Sequence, residues 1–202
     1  MEDLRPFPVK PLPRSYATLL ALLLVVAAQC AAQSVVDVRV ETSRTITAEF
    51  GSRLQSELLS AMGEGGPGAA IAVCRELAPQ IASELSRASG AKVQRTSLKF
   101  RNAANAPEPW QSDVLQEFDR DAAQASQPDG LESLTVAGDG GLRYMKAIPT
   151  GELCLACHGS TVSAEIEAAL DEHYPHDLAR GYALGDVRGA FSVMWPVVST
   201  DR

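Results

Sequence analysis

The run Cys154-Leu155-Ala156-Cys157-His158 constrains this chain more than any other feature. Three reactive side chains fall within one short stretch of a 202-residue chain that holds only 4 Cys and 3 His. Residues three apart share one face of a helical turn. The two thiols can therefore each form a thioether to one flat ring, while the adjacent imidazole meets the metal at its centre. That is the chemistry of covalent c-type haem attachment, with Cys154 and Cys157 as anchors and His158 as an iron ligand. Two other readings use the same residues. The cysteines can form a disulfide or redox pair, or they can join His173 and His176 in a four-ligand zinc site. Pro175 and the short gap between those histidines make the zinc tetrahedron awkward.

Haem is attached to such a motif outside the cytoplasm, and the N-terminus suits export. Arg5, Lys10 and Arg14 precede an apolar and small run, Ala17 to Ala28, which is shorter than the roughly 20 residues a membrane span needs. Small residues follow, ending at Ala32. The pattern predicts a signal peptide over 1–32, cleaved after Ala32, and a periplasmic domain over 33–202. A retained membrane anchor is the alternative. A lipid anchor at Cys30 is disfavoured by the large Gln29 before it. The remaining 170 residues are enough for one domain with a real core. Losing three basic and two acidic residues takes the formal charge from −7 to −8. That balance argues against nucleic acid and anionic membranes as partners. Cys30 leaves with the signal, so Cys74 is the one cysteine of the mature chain outside the motif. It falls in line with Ile71, Ile81 and Leu85 on one helical face. A metal ligand and a buried free thiol fit that position equally.

Ile46, Phe50, Leu54 and Leu58 recur at helical spacing and predict a helix over about 36–62, ended by the Gly63–Gly68 run. The helix carrying Cys74 is expected to kink near 75–78, because Pro79 lies within it. Residues 92–101 alternate and predict a strand. Trp110, Val114, Leu115 and Phe118 predict a third helix. Residues 132–149 predict two strands joined at Asp139-Gly140. A helix over 163–174 ended by Pro175, and a strand over 189–198, complete the chain. Helices first, then strands with intervening helices, predict an α+β fold with an antiparallel sheet. The motif lies three quarters of the way along, within the strand-rich part, unlike the arrangement in small all-helical carriers.

Four segments, "AVCRELAP" (72–79), "SLKFRNAANAPEPW" (97–110), "CLACHG" (154–159) and "YPHDLARGYALGDVRGAFSV" (174–193), together resemble a bacterial family of PAS-like single-haem c-type cytochromes. These are the cyanobacterial Tll-like periplasmic haem proteins, catalogued as a domain of unknown function. Related domains serve as sensors of histidine kinases and chemoreceptors. The resemblance covers about residues 40–198 and departs at Ala103, where the family tends to have Pro. It implies a PAS-like central antiparallel sheet with flanking helices and a long N-terminal helical portion. It implies one covalently attached haem c, with His158 on one side of the iron and a Cys on the other, by position Cys74. With no output domain following Arg202, the chain resembles the free-standing members.

Arg188 and Arg101 are candidates to grip haem propionates bidentately. An ion pair with Asp186 or Asp177 is the equal alternative. His173, His176, Met145 and Met194 are further ligand candidates that fit surface or core roles better. Tyr182 fits the core. The expected function is a redox- or gas-responsive haem sensor module taking a small gas ligand. The alternative is a low-potential electron carrier with a redox partner protein. No Ser/His/Asp set, paired-carboxylate motif or phosphate loop is present in the sequence, so no enzymatic activity is expected.

Overall fold

The computed structural model of the chain describes residues 14–124 and 130–197. Arg5 and Lys10 of the expected export signal lie outside the described residues. The described chain divides into two units, one ending at Val38 and one beginning at Arg39. In the first unit the described residues are helical, and Gln33 Nε2 donates to Asp37 Oδ1 one turn on, at 3.2 Å. Among the described residues, no helix is long and apolar enough to cross a membrane.

The second unit is the α+β structure expected. Helix α1 is assigned over Arg14–Ala72, a five-residue π-helical turn follows over Val73–Leu77, and α2 runs over Ala78–Ser89. Strand β1 (Lys92–Thr96), helix α3 (Pro109–Gln124), the hairpin β2 (Glu132–Val136) and β3 (Leu142–Pro149), helices α4 (Glu152–His158) and α5 (Ala164–His173), and strand β4 (Val187–Trp195) complete it. The sheet is antiparallel throughout, in the order β1-β4-β3-β2.

Opposite faces of the sheet hold separate clusters. On one face Ile46, Phe50 and Leu54 of α1 and Ile81 and Leu85 of α2 pack against Val93, Tyr144, Phe191 and Val193. On the other, Leu115 and Phe118 of α3 pack against Met145, Ala147 and Ala190. Each fully buried large apolar side chain contributes about 2 kcal/mol. Met145 is therefore a core residue, as the sequence favoured. The buried polar pair Gln111 and Ser192 is satisfied internally, Nε2 donating to Oγ at 3.0 Å.

Several expectations hold, and one needs correction. The Asp139-Gly140 turn closes the hairpin, with Gly140 N–H on Ala137 O at 2.8 Å and Gly141 N–H on Asp139 Oδ1 at 2.9 Å. The helix expected over 163–174 is α5, and Ser163 caps it by accepting from Ile166 N–H. The kink before Pro79 takes the form of the π turn, in which Ala78 N–H reaches back to Val73 O. Pro79 has no N–H to give the carbonyl four residues before it, and a widened turn accommodates that gap. The Gly63–Gly68 run breaks the first helix as expected, but the break is a kink of one residue rather than a loop. Only Gly66 leaves helical geometry, at φ 68°, and helix resumes from Pro67. A left-handed Gly followed by a Pro, whose fixed φ suits a first helical turn, costs the chain one residue rather than a loop. The strand expected to reach Arg101 stops at Thr96. Ser97 N–H turns to Asn105 O and Ser97 Oγ to Arg188 O, so the ladder loses its donor.

Candidate functional site

The attachment motif forms a helix of its own. Gly151 precedes α4 in an extended conformation, and Cys154 N–H closes the first turn onto Gly151 O at 3.0 Å. Cys154, Cys157 and Cys74 are free thiols and half-buried. Gly159 ends the helix with its N–H on Leu155 O. A Cβ on Gly159 would lie 2.6 Å from that oxygen, so this end of the motif admits no side chain.

The segment 177–182 runs beside the end of α4 and holds it. Tyr182 N–H donates to His158 O at 3.0 Å, and Gly181 N–H to Gly159 O at 3.1 Å. This alignment puts the Ala179 carbonyl 2.7 Å from His158 Nδ1. A carbonyl only accepts, so Nδ1 carries the proton and Nε2 keeps its lone pair for a metal. Burial, and then the charges of Arg188, Arg101 and Arg95, push the His158 imidazole down to about 2. The ring is thus neutral at any working pH. Tyr182 is buried edge-on to it, centroids 6.3 Å apart.

Arg101, singled out in the sequence, is buried at the end of the attachment helix. Its side chain and that of Asp177 are 7 % and 2 % exposed and pair at 3.0 Å. Arg101 also donates to Cys157 O at 2.6 Å and to Ala179 O at 3.4 Å. Asp177 Oδ1 accepts from Ala179 N–H at 2.9 Å, and Oδ2 from Arg180 Nε at 3.1 Å. Burial pushes the Asp177 carboxyl up, but the hydrogen bonds from Arg101 and Ala179 outweigh it and hold it below the usual range. Of the two alternatives the sequence left for Arg101, the ion pair with Asp177 is the one seen. Arg188 pairs with no carboxylate among the described residues. It lies over the Tyr182 ring and makes a 3.4 Å bond to Ser97 Oγ.

Cys74 is carried into the same neighbourhood by the π turn. A thiolate there is close enough to raise the Cys157 thiol, whose own burial raises it more, and to act on Tyr174 and Arg95. Cys74 lines a cavity of about 280 Å³ together with Phe50, Pro79, Arg95, Asn102 and Asn105. His173 sits elsewhere, its Nδ1 at 2.8 Å from Arg75 Nη1, and His176 is exposed. Among the described residues no group of three or more His, Cys, Asp or Glu side chains gathers as a zinc site requires.

These residues fit an anionic, flat, metal-bearing group. They offer paired thiols on one helical face, a neutral imidazole held at its far nitrogen, a third thiol in the same neighbourhood and three arginines around them. Arg101 Nε and Arg188 Nε are buried with no hydrogen-bond partner among the described residues. Such atoms are costly unless a ligand completes them. Sequence reasoning missed Arg95, because an Arg within an alternating strand reads as a solvent-facing residue.

A model of the Tll0287-like family (Tll0287) matches residues 23–196. The crystal structure of the cyanobacterial haem protein Tll0287 is similar to this chain, at 27 % identity and a TM-score of 0.57. The match covers 76 % of this chain and 94 % of that one. No curated protein sequence is a significant match.

Proposed function

This chain belongs to the Tll0287-like family, and on that premise we propose that it is a c-type haem protein that acts outside the cytoplasm as a redox- or gas-responsive sensor module. One haem c is joined to Cys154 and Cys157 and ligated by His158 and Cys74. The observation that carries the reading is the α4 motif itself, whose imidazole is neutral, fixed at Nδ1 by Ala179 and free at Nε2. Its relative of known structure is a haem protein. Haem supplies one-electron redox chemistry and a site for small axial ligands. Within the protein, Ala179 orients His158, and Arg101 ties the end of the attachment helix to the 177–182 segment. Cys74 offers a thiolate, a ligand that favours ferric iron and a low potential. A thiolate also takes up a proton more readily when the facing charge falls, which suits a switch better than a fixed ligand.

A low-potential electron carrier is the second reading. Exposed Leu153, Leu178 and Leu184 lie on the attachment helix and on the segment beside it, and they favour a transient partner contact there. Rapid exchange with a physiological donor separates the two. Export rests on residues 1–32 as a cleaved signal, so the native protein is expected to lack them by mass spectrometry. The deciding experiment is acid–acetone extraction of periplasmically matured protein, with oxidised and reduced spectra taken with and without carbon monoxide. Colour that stays with the chain supports the reading. Extractable haem, or stoichiometric zinc without haem, overturns it.

A further inference from the structure

Three arginines stand close enough to depress the His158 imidazole, and their partners differ. Arg101 is neutralised by Asp177. Arg188 meets no carboxylate among the described residues, and its buried Nε has no acceptor. The Arg95 side chain makes no hydrogen bond or ion pair with any described residue. Its guanidinium lies 5.8 Å from the centre of the Phe50 ring, and the side chain lines the cavity that Cys74 also lines. Burial lowers its pKa, with only weak opposition from Cys74 and Tyr174. A guanidinium presents five N–H donors, and Arg95 is half-buried where it lines the cavity. Among the described residues, two cations in this region therefore lack an anion.

We propose that Arg95 is a carboxylate-binding residue of this site, holding one haem propionate while Arg188 holds the other. The assignment rests on the haem reading above and deepens it. Haem carries two propionates, and the two arginines left without a counter-ion match them in number and charge. Arg95 is placed on the α1 and α2 face of β1, with Val93 and beside the Cys74 cavity. The Phe50 ring accepts no hydrogen bond from the guanidinium fork, whose geometry suits bidentate contact with a carboxylate.

The thioethers keep haem in place when a propionate contact is lost, so the test does not depend on haem binding. Holoprotein carrying Arg95→Gln, Arg95→Lys or Arg188→Gln is compared with wild type for haem content, reduction potential and the propionate bands of its resonance Raman spectrum. Arg95→Gln is expected to keep its haem, to shift the propionate band, and to raise the ferric-to-ferrous ratio at a fixed potential about tenfold. Removing a positive charge favours the more positive iron state. Arg95→Lys restores most of the ratio, and it keeps the test readable if the Gln variant matures poorly. The Arg95→Gln shift is also expected to persist in a Cys74→Ala background. If it vanishes there, Arg95 serves the thiolate and the assignment is wrong. Haem-loaded wild type with an Arg95→Gln variant unchanged in ratio and band sinks this assignment alone. Wild type that takes no covalent haem sinks the haem reading and this assignment together.

Discussion

Arg101 and Asp177 form a buried pair, and removing either member alone should move the reduction potential in opposite directions. Arg101 reaches Ala179 O at 3.4 Å, and that same oxygen accepts from His158 Nδ1 at 2.7 Å. The guanidinium thus lies no more than about 6 Å from the imidazole, where a unit charge is worth about 2.8 kcal/mol at an effective dielectric near 20. If the imidazole carries about half of the charge change at the iron, about 1.4 kcal/mol remains, a tenfold change in the ferric-to-ferrous ratio or ~59 mV for one electron. Arg101→Gln removes a positive charge and frees Ala179 O to accept more strongly from Nδ1–H. Both effects favour ferric iron, so the potential falls. Asp177→Asn leaves Arg101 uncompensated, while Arg180 keeps Glu167 and Asp171, so the potential rises. Asp177→Asn should also lose roughly 3–5 kcal/mol of stability, because it strands the buried Arg101 charge, whereas Arg101→Gln leaves Asp177 paired with Arg180 and should lose less. The near-isosteric double variant recovers much of that loss. Spectroelectrochemical titration and denaturant melts of the four proteins provide the test. Potentials that move in the same direction in both single variants, in step with stability, would show that the pair is only structural and refute the argument.

Cys74→Ala should change the ferric Soret and near-infrared charge-transfer bands, raise the potential and open the iron to added ligands; an unchanged spectrum and potential would assign the ligand to another residue. Gly189→Ala should destabilise the sheet by at least about 2 kcal/mol, because φ is 154° and the new Cβ would lie 2.4 Å from Thr96 O; an unchanged melting temperature would contradict this. Hydrogen bonds from Arg44 hold the Glu132 carboxyl below its usual range, with burial opposing and the Tyr144 hydroxyl adding. That lowered value contributes stability above the unfolded pKa of about 4.3 and loses it as pH falls through the folded value. Glu132→Gln should therefore flatten the acid limb of a stability–pH profile, and an acid limb as steep as that of wild type would show that other carboxylates carry it.

Local chemistry was legible in the sequence wherever it acts within a few residues. The α4 motif, the Asp139-Gly140 turn, the helix after Ser163 and the disturbance before Pro79 all follow from side chains and the backbone next to them. What the sequence hid depends on contacts between distant segments. Thr96 ends its strand because Ser97 finds Asn105 and Arg188. Arg101 and Arg188 looked alike as cations, and only the folded chain shows that one has Asp177 and the other does not. Arg95 was concealed by its strand pattern, since the signal that marks it is the lack of a counter-charge in three dimensions. The Gly63–Gly68 run announced the break that Gly66 makes, but composition did not give its length.

The π turn has a rotational consequence. In a regular α-helix, Ile71 and Ala78, seven residues apart, would point almost the same way. Here Ile71 packs with Ile166, Leu170 and Tyr174 around α5, whereas Ala78 packs with the sheet beside Ile81 and Leu85. The extra residue in the turn offsets the two faces by roughly a quarter of a revolution. One continuous rod thereby serves two neighbouring cores, with Cys74 at the step between them. Deleting a single residue within 73–77 would restore a regular helix and leave both cores in phase, because six regular steps reach the same rotation, but it would remove the widened turn that carries Cys74. The aim of the Cys74 sulfur is thus set by a count of residues, and no substitution at a neighbouring position can reproduce it.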